Sequence, residues 1–295
     1  MKKIAVIDLG TNTFNLIIAN VNQNHFTTLF SDKVGVALGM GGINKKVLAE
    51  EAMDRAYETL NYFKSKCDEF KVDETRAFGT SAIRDAANKE YFCNEVLKRV
   101  GIKIHVISGD EEATLIYRGV KWSYNFNELA IIMDIGGGST EFILADQNGV
   151  KTAISLNIGV SRMYQQLKLN DPLTPDDITT IEQWLEENAE GKLDHMQCDV
   201  LIGSSGTFET LHELYVKQKF PETIECISMD LNELNSVLDD IIQSTLAERQ
   251  QNPFIIPIRQ IMIPIASVKI QWILKKLGIK RLLISPCSLK EGALS

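Results

Sequence analysis

Cysteine is scarce in this chain. Its five cysteines, Cys67, Cys93, Cys198, Cys226 and Cys287, are odd in number and widely spaced, which leaves no basis for a disulfide framework or a thiolate zinc site. Positive charge is short as well. Against 39 Asp and Glu stand 31 Lys and Arg, a formal charge of -8, whereas general DNA- or RNA-binding proteins present basic surfaces. An acidic body still admits a phosphorylated ligand if a metal or a local basic patch neutralises it. Long apolar runs are missing too. The most hydrophobic stretch, 254–273, is interrupted by Arg259, Gln260, Lys269 and Gln271, so no membrane span is expected. The opening MKKIAVIDLG begins with two lysines, as a leader would, but its apolar stretch breaks at Asp8 before an h-region forms. No Gly-rich turn carries the lysine of a Walker A loop, there is no GxSxG elbow, and the four histidines share no ligand spacing. These absences set the expectation of a cytoplasmic, reduced protein with no nucleic-acid and no membrane partner.

What is present is a repeat. Residues 7–19 read IDLGTNTFNLIIA and residues 133–145 read MDIGGGSTEFILA, 126 residues apart. Asp8 corresponds to Asp134, Gly10 to Gly136, Thr13 to Ser139 and Ile17 to Ile143. In each copy an apolar run reaches an Asp, crosses a Gly-rich polar turn and resumes as an apolar strand, which is the pattern of a hairpin. An Asp at the end of a buried strand is costly unless it is paired, hydrogen-bonded or bound to a cation. The glycines allow close backbone approach and expose successive N–H groups as an anion nest. Either turn alone also reads as a hairpin with a structural Asp; the matched pair points instead to phosphate and a divalent cation. The reading is therefore two related α/β domains, 1–122 and 129–295, joined through 122–128, their hairpins facing each other across a cleft.

The pattern between the repeats completes each half. Strands are expected at 4–8, 14–21 and 26–32, and four glycines within 35–43 suggest a mobile loop more than a packed element. Apolar positions at 48, 52, 53, 56, 57, 60 and 63 mark a helix stripe. A strand through Phe78, a helix over 89–99 and a strand over 102–107 imply parallel pairing onto the first hairpin. The second half repeats the order: strands at 129–134, 140–146 and 151–157, a helix from about 160, and one that Pro175 opens. A strand over 199–203 follows, then helical stretches over 230–249 and 258–276 with a break at Pro264, and a last strand over 281–285.

Three further features carry chemistry. Glu111 and Glu112 fall in the first turn of a helix that Ser108 or Asp110 can cap, where acids suit the helix dipole. A carboxylate beside a phosphate site can also orient a water for attack. GSSGT, 203–207, is a strand–turn–helix with donors at the helix start, a candidate phosphate or ribose contact. Arg84, four residues after Thr80, can clamp an anion bidentately or stand solvated.

In this order, IDLGTNTFNL, FGTSAIRDA, SGDEEATLIYRGV, MDIGGGSTEF and IGSSGTFETL resemble the exopolyphosphatase / guanosine pentaphosphate phosphohydrolase family, of the actin–sugar kinase–chaperone superfold. The likeness runs from about residue 4 to 217 and again through 279–294. It implies two ribonuclease H-like domains with an interdomain cleft, the closing helix free to pack on the first. It implies removal of terminal phosphate from inorganic polyphosphate or guanosine pentaphosphate with Mg²⁺ or another divalent cation, and is compatible with a homodimer. By resemblance Glu112 is the catalytic carboxylate with Glu111 its neighbour, and Asp8 and Asp134 lie near the metal. Gly10, Thr11, Asn12, Thr13 and Gly136, Gly137, Gly138, Ser139 form two phosphate loops. Arg84 contacts phosphate, and Ser204, Ser205, Gly206 and Thr207 form a Gly-rich loop.

Two departures stand out. The family's basic and acidic pair is replaced by Gly35 and Met40, and 254–273 lacks the usual alanine–aspartate and glycine pattern. Longer members continue into a further helical domain, so preference for short polyphosphate or a guanosine polyphosphate is expected. A guanosine polyphosphate sensor with little turnover and an ATP-using sugar-kinase or actin-like enzyme stay as alternatives.

Overall fold

A computed structural model describes residues 1–22 and 25–295. The chain divides into two compact units, Met1–Gly119 with Ser288–Ser295, and Val120–Cys287.

In the first unit, the described residues form a five-stranded sheet in the order β3-β2-β1-β4-β5, with β1 Lys2–Leu9, β2 Thr13–Asn22, β3 His25–Gly35, β4 Glu74–Gly79 and β5 Ile104–Val106. β1, β2 and β3 are antiparallel, and β4 and β5 add in parallel. β1 is apolar on consecutive residues because both of its faces are covered: Ile4, Ala5, Val6 and Ile7 are all buried. The stripe read at 48–63 becomes the Glu50–Glu69 helix, which places Met53, Leu60 and Phe63 against Phe14, Leu16 and Ile18. Phe14, Phe63 and Phe92 are fully buried, each contributing roughly 2–3 kcal/mol by burial.

The second unit holds β6 Ala130–Ile135, β7 Thr140–Asp146, β8 Gly149–Leu156, β9 Val200–Ser204, β10 Ile227–Met229 and β11 Arg281–Ser285, ordered β10-β11-β9-β6-β7-β8. Read outward from β6, the order β8-β7-β6-β9-β11 repeats β3-β2-β1-β4-β5, with the short β10 antiparallel at the edge. Thr174 and Asp177 form a capping box with Pro175 in the first turn, as the sequence indicated for that helix.

Three local readings change. Segment 35–43 is packed rather than loose: Gly35 ends β3, and Val36, Leu38 and Ile43 are buried. Pro264 does not break a helix but starts one, Ile263–Leu277, where its missing N–H costs nothing. Residues 230–249 hold two helices, because Thr245 caps a new one with Glu248. Among the described residues no helix is long and apolar enough to cross a membrane.

Candidate active site

The repeat survives in atomic detail. The Gly10 N–H donates to the Thr13 carbonyl at 3.1 Å, and the Gly136 N–H donates to the Ser139 carbonyl at 3.0 Å. A Cβ on Gly10 would stand 2.8 Å from that carbonyl oxygen and one on Gly136 3.0 Å, so both turns exclude larger residues. Asp8 and Asp134 are the penultimate residues of β1 and β6.

Each turn is held from behind by the segment that leaves the third strand. In the first unit the Thr11 carbonyl accepts from Gly39, and the Asn12 carbonyl accepts from both Val36 and Ala37 at 2.9 and 2.8 Å. In the second, the Gly136, Gly137 and Gly138 carbonyls accept from the amides of Val160, Ser161 and Gly159. Buried Arg162 adds an Nε donor to the Gly138 carbonyl at 2.6 Å. In a trans peptide the carbonyl and the following N–H point opposite ways. Anchoring these carbonyls therefore turns the N–H groups of Gly137, Gly138 and Ser139 away from the backing segment. Among the described residues those three amides make no hydrogen bond, which is the arrangement of an anion nest.

The charges beside the two turns differ. Asp8 lies across from Asn15, whose amide donates to it at 2.9 Å. Burial pushes the Asp8 carboxyl up to about 6, and the Asn15 hydrogen bond acts the other way. Asp134 lies across from Glu141, a buried acid that accepts from Ser155 at 2.7 Å. Ser204, on the neighbouring strand, donates towards Asp134 and the Cys287 carbonyl, both at 3.3 Å. Ser205 takes φ +124° and ψ 160°, a region nearly confined to glycine, and its buried hydroxyl has no partner among the described residues. Gly206 and Thr207 open the following helix.

The adjacent acids of the first unit part company. Ser108 and Glu111 form a capping box: the Ser108 amide donates to Glu111 at 2.8 Å and the Glu111 amide to the Ser108 hydroxyl at 3.2 Å. Those bonds hold the exposed Glu111 carboxyl below its usual range. Glu112 turns inward, is buried, and accepts from Arg84 Nη1 at 2.7 Å. Arg84 Nη1 also donates to the Ile107 carbonyl, while its Nη2 makes no hydrogen bond among the described residues. Thr80 bonds the Leu9 carbonyl and Ile107 bonds the Gly79 carbonyl, tying β1, β4 and β5 together at their carboxyl ends. Asp8, Arg84 and Glu112 therefore belong to one edge of the first sheet, where open α/β sheets place ligands.

Sequence reasoning passed over Glu141, Arg162 and Lys269. An acid inside the apolar run TEFILA was the available signal for the first.

Matched glycine turns at strand ends, each beside an aspartate, define a two-fold repeated α/β protein. The family model of the Ppx/GppA phosphatase family matches residues 17–295, and the chain belongs to that family. An exopolyphosphatase structure from Cytophaga hutchinsonii is 35% identical and superposes with a TM-score of 0.95, covering 99% of this chain and 96% of that one. A bifunctional 3-dehydroquinate synthase/phosphatase of Fusobacterium nucleatum is 34% identical over 81% of this chain and 38% of its own length. A guanosine-5'-triphosphate,3'-diphosphate pyrophosphatase of Photobacterium profundum is 30% identical over 75% of this chain and 45% of its own. The chain thus matches less than half the length of these two curated relatives.

Proposed function

We propose that the protein hydrolyses terminal phosphoanhydride bonds of inorganic polyphosphate, guanosine pentaphosphate, or both. The observation that carries this reading is the pair of half-buried Arg84 and buried Glu112 at the strand edge that also bears Asp8. The guanidinium holds the Glu112 carboxylate in place, where it can accept a hydrogen bond from a water and aim it in line at phosphorus. Arg84 Nη2 and the amides of the two nests stabilise charge on the equatorial oxygens as it builds. In this proposal both nests serve one phosphate chain across an interdomain cleft.

A divalent cation fits the donors present. Asp8 and Asp134 are hard oxygen ligands, and Mg²⁺ commonly takes one or two carboxylates with substrate phosphates and waters. No cluster of three or more acidic, His or Cys ligands occurs among the described residues. When bound, the cation would neutralise phosphate charge.

The test is phosphate release from polyphosphates of several lengths, guanosine pentaphosphate and ATP. Glu112→Gln is expected to keep the fold and to lower kcat by roughly 10²-fold or more. A variant within threefold of wild type at saturating substrate would remove Glu112 from the reaction. Tight guanosine pentaphosphate binding without turnover by the wild type would replace hydrolysis with sensing.

A further inference from the structure

Lys269 is fully buried on the Ile263–Leu277 helix, and no phosphate role in the reading above uses it. Its ammonium donates to the Thr140 hydroxyl at 3.0 Å and to the Ile158 carbonyl. These two acceptors bracket the second nest. Thr140 is the first residue after Ser139, and Ile158 immediately precedes the Gly159–Ser161 stretch whose amides anchor the Gly136–Gly138 carbonyls. Gly159 is pressed so closely on the nest that a Cβ would stand 2.3 Å from the Gly137 carbonyl. The two layers thus have no slack, and one ammonium spans both.

The first unit solves the same problem with a different residue. Arg55, on the Glu50–Glu69 helix, donates from Nε to the Val36 carbonyl at 2.8 Å and from Nη2 to the Ala37 carbonyl at 3.1 Å. Val36 and Ala37 are the residues whose amides hold the Asn12 carbonyl. In each half a helix-borne cation therefore grips the segment that backs the nest.

We propose that Lys269 is a positioning residue for the second phosphate loop, fixing the Gly137, Gly138 and Ser139 amides in the orientation that receives phosphate. The inference rests on the hydrolase reading for its catalytic consequence, and on geometry alone for its mechanical one. A buried ammonium is expensive, and here burial draws it down to about 7 against the opposing pull of nearby Glu141. Retaining so costly a group between two backbone layers is understandable if those layers must not shift. Misplacement of a catalytic frame by about 1 Å can cost on the order of 10²-fold in rate.

Hydrogen–deuterium exchange on the full-length protein, together with phosphate-release kinetics, tests this. In Lys269→Met, which keeps volume but loses the donors, the amides of Gly136, Gly159, Val160 and Ser161 should exchange at least about tenfold faster, their free carbonyl partners no longer being held. Peptides covering 10–14 and 35–39 should keep wild-type rates, and kcat/KM should fall about 10- to 100-fold. Lys269→Arg, which restores donors, should recover part of both. Thr140→Val, which removes one acceptor and leaves the ammonium, should give the same local signature more weakly and is read in place of Lys269→Met should that variant not fold. Unchanged exchange around 136–140 and 158–162 overturns the proposal, as does acceleration spread evenly over both units. Local acceleration with unaltered kcat/KM overturns its catalytic part. A wild type that releases no phosphate defeats the hydrolase reading, and the exchange comparison still decides whether Lys269 holds the loop.

Discussion

The two glycine turns share a backbone and differ in nearly every charge around it. Gly10 and Gly136 close the same hydrogen bond three residues on, within sheets of the same strand order. Yet Asp8 faces an amide, Asn15, where Asp134 faces an acid, Glu141. The first backing segment is gripped by half-buried Arg55, the second by buried Lys269, while buried Arg162 donates to the second turn itself. Glycine and strand geometry dictate the nest, and many side chains can support it. The side chains are then free to make one half electrically unlike the other.

The largest effect expected from breaking this comparison lies in the backing segments. Gly159→Ala drives a methyl into the Gly137 and Gly138 backbone, at 2.3 and 2.4 Å, where nothing flexible can yield. Gly39→Ala meets the end of the Thr11 side chain at 2.5 Å, which can rotate. Chemical denaturation should give a loss of about 3 kcal/mol or more for the first and about 1–2 kcal/mol for the second. Equal losses would mean the two turns are backed with equal tightness.

A smaller effect separates the aspartates by pH. The native state lifts the Asp8 carboxyl to about 6 from an ordinary 3.8, so it binds that proton more tightly than the unfolded chain does. Unfolding free energy should therefore fall as pH rises from about 4 to about 6, and this contribution should be level above. Denaturation curves of wild type and Asp8→Asn should diverge across that window, the wild type gaining stability relative to the variant as pH drops. Parallel curves would show that Asn15 and solvent offset the burial.

The smallest effect concerns Ser205. Its counterpart 126 residues earlier is Gly79, which lies outside the left-handed region, whereas Ser205 sits in backbone space that suits glycine. Ser205→Gly should raise stability by about 1 kcal/mol, relief of strain being reduced by the greater freedom of glycine in the unfolded chain. A thermal midpoint at or below that of wild type would mean the strain is not borne by this residue.

Much of the fold was legible because it is local or repeated. Asp8 and Asp134 announced themselves by spacing, and the alternation of strands with helical stripes gave parallel pairing of β4 to β1. The first misreading came from composition: four glycines in 35–43 suggested mobility, but the Thr11 and Asn12 carbonyls give those residues partners that no window of sequence contains. Glu111 and Glu112 looked alike as neighbours. One residue of helix turns a side chain by about 100°, so one serves as an exposed cap and the other meets Arg84. Lys269 was illegible for a stronger reason. Its partner Thr140 lies 129 residues away, and in sequence it registers only as an interruption of an apolar stretch.

The first unit is finished by residues 288–295, which emerge after all of the second. Leu289 and Leu294 are buried there, a Cβ on Gly292 would stand 1.8 Å from the Leu115 carbonyl, and Arg76 donates to the Ala293 carbonyl at 2.7 Å. The helix that carries Glu112 thus receives this neighbour only after the second unit has been made. On the ribosome the inserted unit can close while its host still lacks a wall. A nascent chain stalled before Ser288 would carry both glycine turns but lack the wall behind the helix that bears Glu112, so the first half is built in two instalments with the second half made in between.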